Sequence, residues 1–184
     1  MNKNSLKEKY LVYKVRLSKD AEAYGQLYDI YIDRIFRFVF FKVSSKEEAE
    51  DITSEVFLKT WEYLCGNSRE VQHFSALIYR VARNAVIDFY RSRNSHYRPT
   101  DEEQMEQIED TRNMISEIDE KMDVASIEKH LSKIKDTYKE ILLLKYIEEF
   151  SIAEIAEIMN KSKTNIRVLL HRAVKALKDV AGEE

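Results

Sequence analysis

Glycine and proline are nearly absent, with three Gly and one Pro in 184 residues. Tight hairpins need residues that tolerate positive φ or preset a turn, so a strand-rich chain is excluded and a nearly all-helical one is predicted. Cysteine occurs once, at Cys65, which rules out an intramolecular disulfide and suits a reducing cytoplasm. One Cys and four scattered His offer no zinc-ligand spacing, and neither a metal nor a cofactor is expected. No apolar run approaches membrane-spanning length, and Lys, Glu and Arg interleave the first twenty residues, so neither membrane insertion nor a signal peptide is expected. A large charge of one sign is missing too: the net charge is −3, which on its own argues against a nucleic-acid binder. What is plentiful is apolar and charged residues, 44% and 34%, enough for one or two domains with real cores.

The charge is segregated, and the C-terminal stretch from Ser151 to Lys178 shows it best. Its spacing predicts two helices joined by a turn of about four residues, a helix-turn-helix. Ser151 with Glu154 makes a capping box, and Ile152, Ile155, Ala156 and Met159 recur at helical spacing. Asn160 stands where a chain reversal favours Gly or Asn. Ser162 is the expected cap of a second helix starting at Lys163 or Thr164, with Ile166, Leu169, Leu170, Ala173, Ala176 and Leu177 inside. Outside lie Lys161, Lys163, Arg167, His171, Arg172, Lys175 and Lys178, with no acid between Lys161 and Lys178. Such a face suits a major groove, where cations meet phosphates and Arg meets the paired acceptors of guanine. A merely solvated basic helix is the plainer alternative.

Ahead of it, a first helix is predicted over about 6–17, with Leu6, Tyr10, Tyr13 and Leu17 on one side. After a stop at Ser18 and a cap at Asp20, a second helix carries an aromatic core stripe: Tyr24, Leu27, Tyr28, Tyr31, Ile35, Phe38 and Val39. Ser44 or Ser45 caps a third helix, with Ala49, Ile52, Val56, Thr60 and Leu64 inward. Its other side carries Asp51, Ser54, Glu55 and Leu58, which reads equally as a solvated face or as a docking strip for a basic helical partner. After a polar loop over 65–72, a fourth helix over 73–93 has Phe74, Leu77, Val81, Ala85 and Phe89 as inner positions. Its expected outer positions include Tyr79, Arg80, Arg83, Asn84, Ile87, Tyr90 and Arg91, followed by Arg93 and Arg98, and Asp88 is the only acid between Phe74 and Arg98. Interleaved Arg, Tyr and Asn suit single-stranded DNA, although some of these tyrosines are expected to be packing residues.

After Pro99 the stretch DEEQMEQIEDTRNMISEIDE is strongly acidic and reads as a linker. Helices near 124–133 and 136–148 are then predicted, with Ile127, Leu131, Ile134, Ile141, Leu142, Leu144 and Ile147 as apolar ridges. The predicted fold is all-α: two small helical domains, 1–98 and 123–184, joined by an acidic linker over 99–122.

Three stretches, EEAEDITSEVFLKTWEYL, FSALIYRVARNAVIDFYRSR and SIAEIAEIMNKSKTNIRVLLHRAVKAL, together with LYDIYIDRIFRFV, resemble the sigma-70 family of transcription initiation factors in its extracytoplasmic function group. The resemblance implies a non-enzymatic subunit that binds core RNA polymerase and promoter DNA, with an anti-sigma factor as a further partner. It implies region 2 over 1–98 and region 4 over 123–184. It places Asp51, Ser54, Glu55 and Leu58 at the polymerase clamp. The loop 65–73 with His73, and the helix with Tyr79, Arg80, Arg83, Asn84 and Asp88, fall where the opened −10 strand is captured. Asn84 is implied near a flipped base, and Arg91 and Arg93 near backbone or duplex DNA. Lys161, Ser162, Lys163, Thr164, Asn165, Arg167, Val168, His171, Arg172 and Lys175 match the −35 reader. Asn160 replaces a usual turn Gly, and Val168 and Leu169 stand where many members are polar, so base preference at −35 transfers least.

Other classes fit less of the chain. A free-standing helix-turn-helix regulator does not need the Arg-Asn face of the fourth helix. A metal nuclease needs clustered carboxylates beside a basic groove, whereas the acids here fall in the linker and on a separate helix face.

Overall fold

Helix starts are set by side-chain oxygens standing in for the missing helical acceptors. Asp20 Oδ1 accepts the Ala23 N–H at 2.9 Å, and Ser45 Oγ accepts that of Glu48 at 3.4 Å. Ser162 Oγ accepts the Asn165 N–H at 3.1 Å. At Ser151 the box is reciprocal: Oγ accepts from Glu154 N at 3.3 Å while the Glu154 carboxylate accepts from Ser151 N at 2.9 Å. Each such cap is worth about 1 kcal/mol.

The structure, a computed structural model, describes residues 3–43, 45–66, 71–93 and 134–181, with no strand among them. Ser44, Arg98, the acidic segment over 99–122 and the helix expected near 124–133 with Ile127 and Leu131 lie outside the described residues. The chain divides into two units, Met1–Pro99 and Thr100–Glu184.

The first unit is built from α1 (Lys3–Ser18), α2 (Ala21–Val43), α3 (Lys46–Gly66) and α4 (Phe74–Arg93). The chain turns from α1 to α2 at Lys19, which has φ 52. Helix α2 packs on α1, α3 and α4. Its Leu27, Ile35, Phe38 and Val39 are buried with Val56 and Leu64 of α3 and Phe74, Leu77, Ile78 and Ala85 of α4. Aromatic rings meet edge-on, Tyr31 with Phe74 at 5.3 Å and Phe38 with Tyr79 at 5.2 Å, the geometry that ring quadrupoles favour. The inward positions read for α3 are all buried, and Thr60 donates its hydroxyl to the Val56 carbonyl at 2.7 Å.

Three expectations in this unit are corrected. In α1 the side facing the core is Leu11, Val12 and Val15, and the predicted stripe points outward. Tyr28 of the α2 stripe is exposed, its ring tilted on Phe57 at 4.6 Å. In α4 the buried arc also takes in Ala76, Ile78, Ala82 and Val86, while Val81 and Phe89 are half-buried. The cause is that α4 is packed by α1, α2 and α3 together, which buries a wider arc than one stripe supplies.

The second unit comprises α5 (Asp136–Leu142), a π-helical turn (Leu143–Ile147), α6 (Ile152–Met159) and α7 (Lys163–Ala181). Its core holds Ile141, Leu144, Phe150, Ile155, Ile158, Ile166, Leu170, Val174 and Leu177. In the π turn the Glu148 N–H reaches back five residues to the Leu143 carbonyl at 3.0 Å. The wider turn slips the helical phase, so Ile147, expected as a core ridge, is 65% exposed and Phe150 takes the inner place.

Candidate nucleic-acid and partner interfaces

Helices α6 and α7 form the predicted helix-turn-helix. Asn160 adopts the left-handed conformation (φ 53, ψ 48), so it closes α6 as a Gly would at that place. The Lys161 N–H bonds back to the Ala156 carbonyl at 3.0 Å, which completes the reversal before Ser162 caps α7. One side of α7 is buried by Ile166, Leu169, Leu170, Ala173, Val174 and Leu177. That leaves Lys163, Thr164, Arg167 and Lys175 exposed, and Lys161, Asn165, Val168, His171 and Arg172 half-buried. Ser162 is exposed but its Oγ is committed to the cap. His171 Nδ1 is buried, so Nε2 is the ring nitrogen left for an outside partner.

Along α4 the exposed sequence-predicted residues are Asn84, Asp88, Arg91 and Arg93, and His73 is exposed just ahead of the first turn. Arg80 and Arg83 are half-buried and engaged in contacts within the protein. Asp88 lies 3.8 Å from Arg91, and Arg93 pairs with Glu48 of α3 while its guanidinium sits over the Phe89 ring at 5.0 Å. Arg93 is thus held against α3 and is not a wholly solvated cation. Tyr79 corrects the reading of an outer aromatic: it is 0% exposed, edge-on to Phe38 and 5.9 Å from the Arg34 guanidinium. A ring with no accessible face cannot stack on a base, so Tyr79 is a core residue. Ile87 and Tyr90, also expected outside, are half-buried, and Tyr90 donates its hydroxyl to the Lys42 carbonyl at 2.8 Å.

The strip on α3 is intact as a surface. Asp51, Ser54 and Glu55 are exposed, and Leu58 among them is 58% exposed. Ser54 Oγ donates to the Glu50 carbonyl at 2.9 Å and Glu55 pairs with Lys59 at 2.6 Å, so both are partly satisfied within the helix.

One feature of the first unit has no counterpart among the sequence expectations. A cleft of about 420 Å³ is lined by Lys9, Val12, Tyr13 and Arg16 of α1 and by Val71, Gln72 and His73 leading into α4. Three of these side chains are basic. The sequence signals it only as isolated cations in α1, because the approach of residues 71–73 to α1 is a tertiary event. Among the described residues no group of His, Cys, Asp and Glu is arranged to hold a metal ion, and no helix is long and apolar enough to cross a membrane.

Comparison with known proteins gives two sequence-profile matches, Sigma-70 region 2 over residues 27–96 and Sigma-70, region 4 over residues 124–177. The chain is 30% identical over 158 residues to the ECF RNA polymerase sigma factor BldN of Streptomyces coelicolor, matching 86% of this chain but spanning 60% of that protein's length. It is 29% identical over 168 residues to the ECF RNA polymerase sigma factor SigW of Bacillus subtilis, covering 86% of this chain and 89% of SigW. The fold is similar to that of the sigma factor RpoE solved with the anti-sigma factor NepR from Bartonella quintana, with TM-score 0.60, 18% identity, and 86% and 96% of the two chains covered.

Proposed function

The chain belongs to the sigma-70 family, in its extracytoplasmic function group, and from that premise we propose that it binds core RNA polymerase and directs it to a specific class of promoters. The observation that carries this reading is the succession on one chain of a region 2 unit with an exposed Asp51-Glu55-Leu58 strip and a region 4 unit with a capped helix-turn-helix. The protein has no chemistry of its own in this reading; polymerase performs nucleotidyl transfer, in the cytoplasm.

The exposed surfaces support the following mechanism. Helix α7 enters the duplex −35 major groove, with Lys163 and Lys175 on phosphates and Arg167 at a base edge. The strip on α3 docks on the polymerase clamp. Helix α4 then holds the non-template −10 strand, with exposed Asn84 offering its amide to an unstacked base and the exposed Arg91 and the partly engaged Arg80 and Arg83 contributing positive charge beside the backbone. Capture of an unstacked base offsets an unpairing cost of a few kcal/mol, so melting proceeds by population shift without ATP. An anti-sigma factor is the natural antagonist, as NepR is the partner solved with RpoE. The test is in-vitro transcription by core polymerase on a promoter library with and without the protein. New start sites are expected; their absence, together with operator binding by a two-fold dimer in the absence of polymerase, would refute the proposal in favour of a free-standing regulator.

A further inference from the structure

Helix α1 is apolar on two sides. Leu11, Val12 and Val15 are buried against the rest of the unit. Leu6, Tyr10, Tyr13 and Leu17 are 52%, 58%, 58% and 72% exposed. At about 100° per residue the centres of the two arcs lie roughly 180° apart, so the outer one is not the margin of the core but a separate face. Tyr31 of α2 hydrogen-bonds Glu8 on the buried side, and Lys14 pairs with Asp20 at 3.3 Å, two contacts that favour this rotation of α1.

The outer residues are spaced four, three and four apart, the d-a-d-a rhythm of a two-heptad seam. The positions flanking such a seam are then Lys7, Lys9, Lys14 and Arg16, all basic. A second copy of this chain laid along the seam in either direction would set cation against cation, which disfavours self-pairing. Nucleic acid matches only the middle of the seam: Lys7 and Lys9 suit phosphates and Tyr10 and Tyr13 offer ring faces, but Leu6 and Leu17 at its two ends have none on which a base could stack. What satisfies both the seam and its flanks is a helix with apolar residues three and four apart and Glu or Asp beside them.

We propose that the outer face of α1 is a docking surface for an acidic amphipathic helix of a partner protein, seated on Leu6, Tyr10, Tyr13 and Leu17 and steered by Lys7 and Lys9. Lys9 and Arg16 also line the cleft shared with His73, so acidic side chains on one edge of the incoming helix would be directed towards that cleft. Four seam residues span only about 16 Å of helix at 1.5 Å per residue, which makes this a weak and salt-sensitive contact. The inference is independent of how α4 and α7 meet DNA.

The probe is a labelled 21-residue peptide with Leu at a and d and Glu at e and g, compared with its Lys-flanked counterpart, by fluorescence anisotropy with the full chain. The Glu peptide is expected to bind at least tenfold tighter at 50 mM salt, with the preference shrinking at 500 mM. Lys7→Glu/Lys9→Glu should reduce its affinity at least fivefold, and Tyr10→Ser/Leu17→Ser should remove measurable binding. Because all four side chains are exposed, both variants should keep the parent circular dichroism and melting temperature. Equal binding of the two peptides, or binding of neither, overturns the proposal. So does a parent chain that elutes as a dimer converted to monomer by Tyr10→Ser/Leu17→Ser, which would make a second copy the occupant. A chain in which the acids of 101–120 are changed to Gln and Asn is the final arm: if only that variant binds, the chain's own acidic segment is the occupant and the proposal fails. A deoxythymidine oligonucleotide that binds the parent and is lost on Lys7→Glu/Lys9→Glu, with no peptide bound, would assign the face to nucleic acid instead.

Discussion

Leu58→Ala separates docking from folding more sharply than any charge reversal. Burying a whole Leu side chain is worth about 1.5–3 kcal/mol. In the free protein Leu58 is 58% exposed, so the part still to be buried on docking amounts to roughly 1–2 kcal/mol. That is a loss of about 5- to 30-fold in affinity for core polymerase. Stability should move by less than about 0.5 kcal/mol, because little of the side chain is buried on folding. Two residues earlier, Val56 is 0% exposed and predicts the opposite outcome. Val56→Ala removes two buried carbons at about 0.8 kcal/mol each and leaves a cavity, so it should cost about 2 kcal/mol or more of stability. For a unit of this size that lowers the melting temperature by about 8 °C or more, with polymerase affinity per folded molecule unchanged.

The assay is titration of labelled protein with core polymerase by anisotropy, alongside thermal melting by circular dichroism. Glu55→Lys is the companion variant. It exchanges the ion pair with Lys59, worth only about 0.3–0.5 kcal/mol at the surface, for like charge facing a basic partner. If Leu58→Ala and Glu55→Lys both leave polymerase affinity at the parent value, the strip is an ordinary solvated face and the docking argument is wrong.

Asn84→Ala should reduce open-complex formation more than closed-complex formation, since its exposed amide is proposed to meet a base edge only after melting; permanganate footprinting on matched and pre-melted templates checks this, and equal loss on intact duplex refutes it. Tyr79→Ala should cost about 3–5 kcal/mol of stability as a large buried ring is removed, whereas Tyr79→Phe keeps the edge-on contact with Phe38 and should leave promoter melting intact. Lys175→Ala should weaken all duplexes alike and reduce the magnitude of the log-affinity versus log-salt slope by about 0.9, while Arg167→Ala should cost roughly 1–3 kcal/mol on the best −35 sequence and relax preference there. A uniform loss for Arg167→Ala across a duplex panel would make α7 an anchor that reads nothing.

Features decided by a few neighbouring residues are legible in the sequence alone. The Ser151-Glu154 box, the Asp20 and Ser162 caps and the left-handed Asn160 depend on bonds within three to five residues, and all are present as expected. The exposed strip on α3 is legible because its inward partners recur without interruption. What fails depends on neighbours distant in sequence. Helix α1 has two apolar arcs, and only the arrival of α2, α3 and α4 decides which of them is covered. Tyr79 lies on the side of α4 opposite Leu77 and Val81, where the crowding that brings Phe38 and Arg34 onto its ring leaves no trace in the local pattern. Ile147 fits a 3.6-residue period, and the π turn that ejects it changes the period itself.

A net charge of −3 looks adverse for a protein proposed to meet DNA at two places, and the resolution lies in where the charges stand. Within α7 the cations run from Lys163 to Lys178 without an acid among them, and Asp179 comes only at the last turn. In α4 the one acid, Asp88, sits near Arg91, and Arg93 is drawn onto Glu48, so the C-terminal part of that helix is partly neutralised from within the unit. Fifteen of the acids fall in two blocks, six on α3 and nine over 101–120, and neither block lies within α4 or α7. At a Debye length of about 8 Å in physiological salt, a phosphate responds to the cations within reach and hardly at all to the chain's average. The segregation therefore costs little affinity at either proposed DNA surface, and it leaves the α3 strip with the sign that the proposed basic helical partner requires.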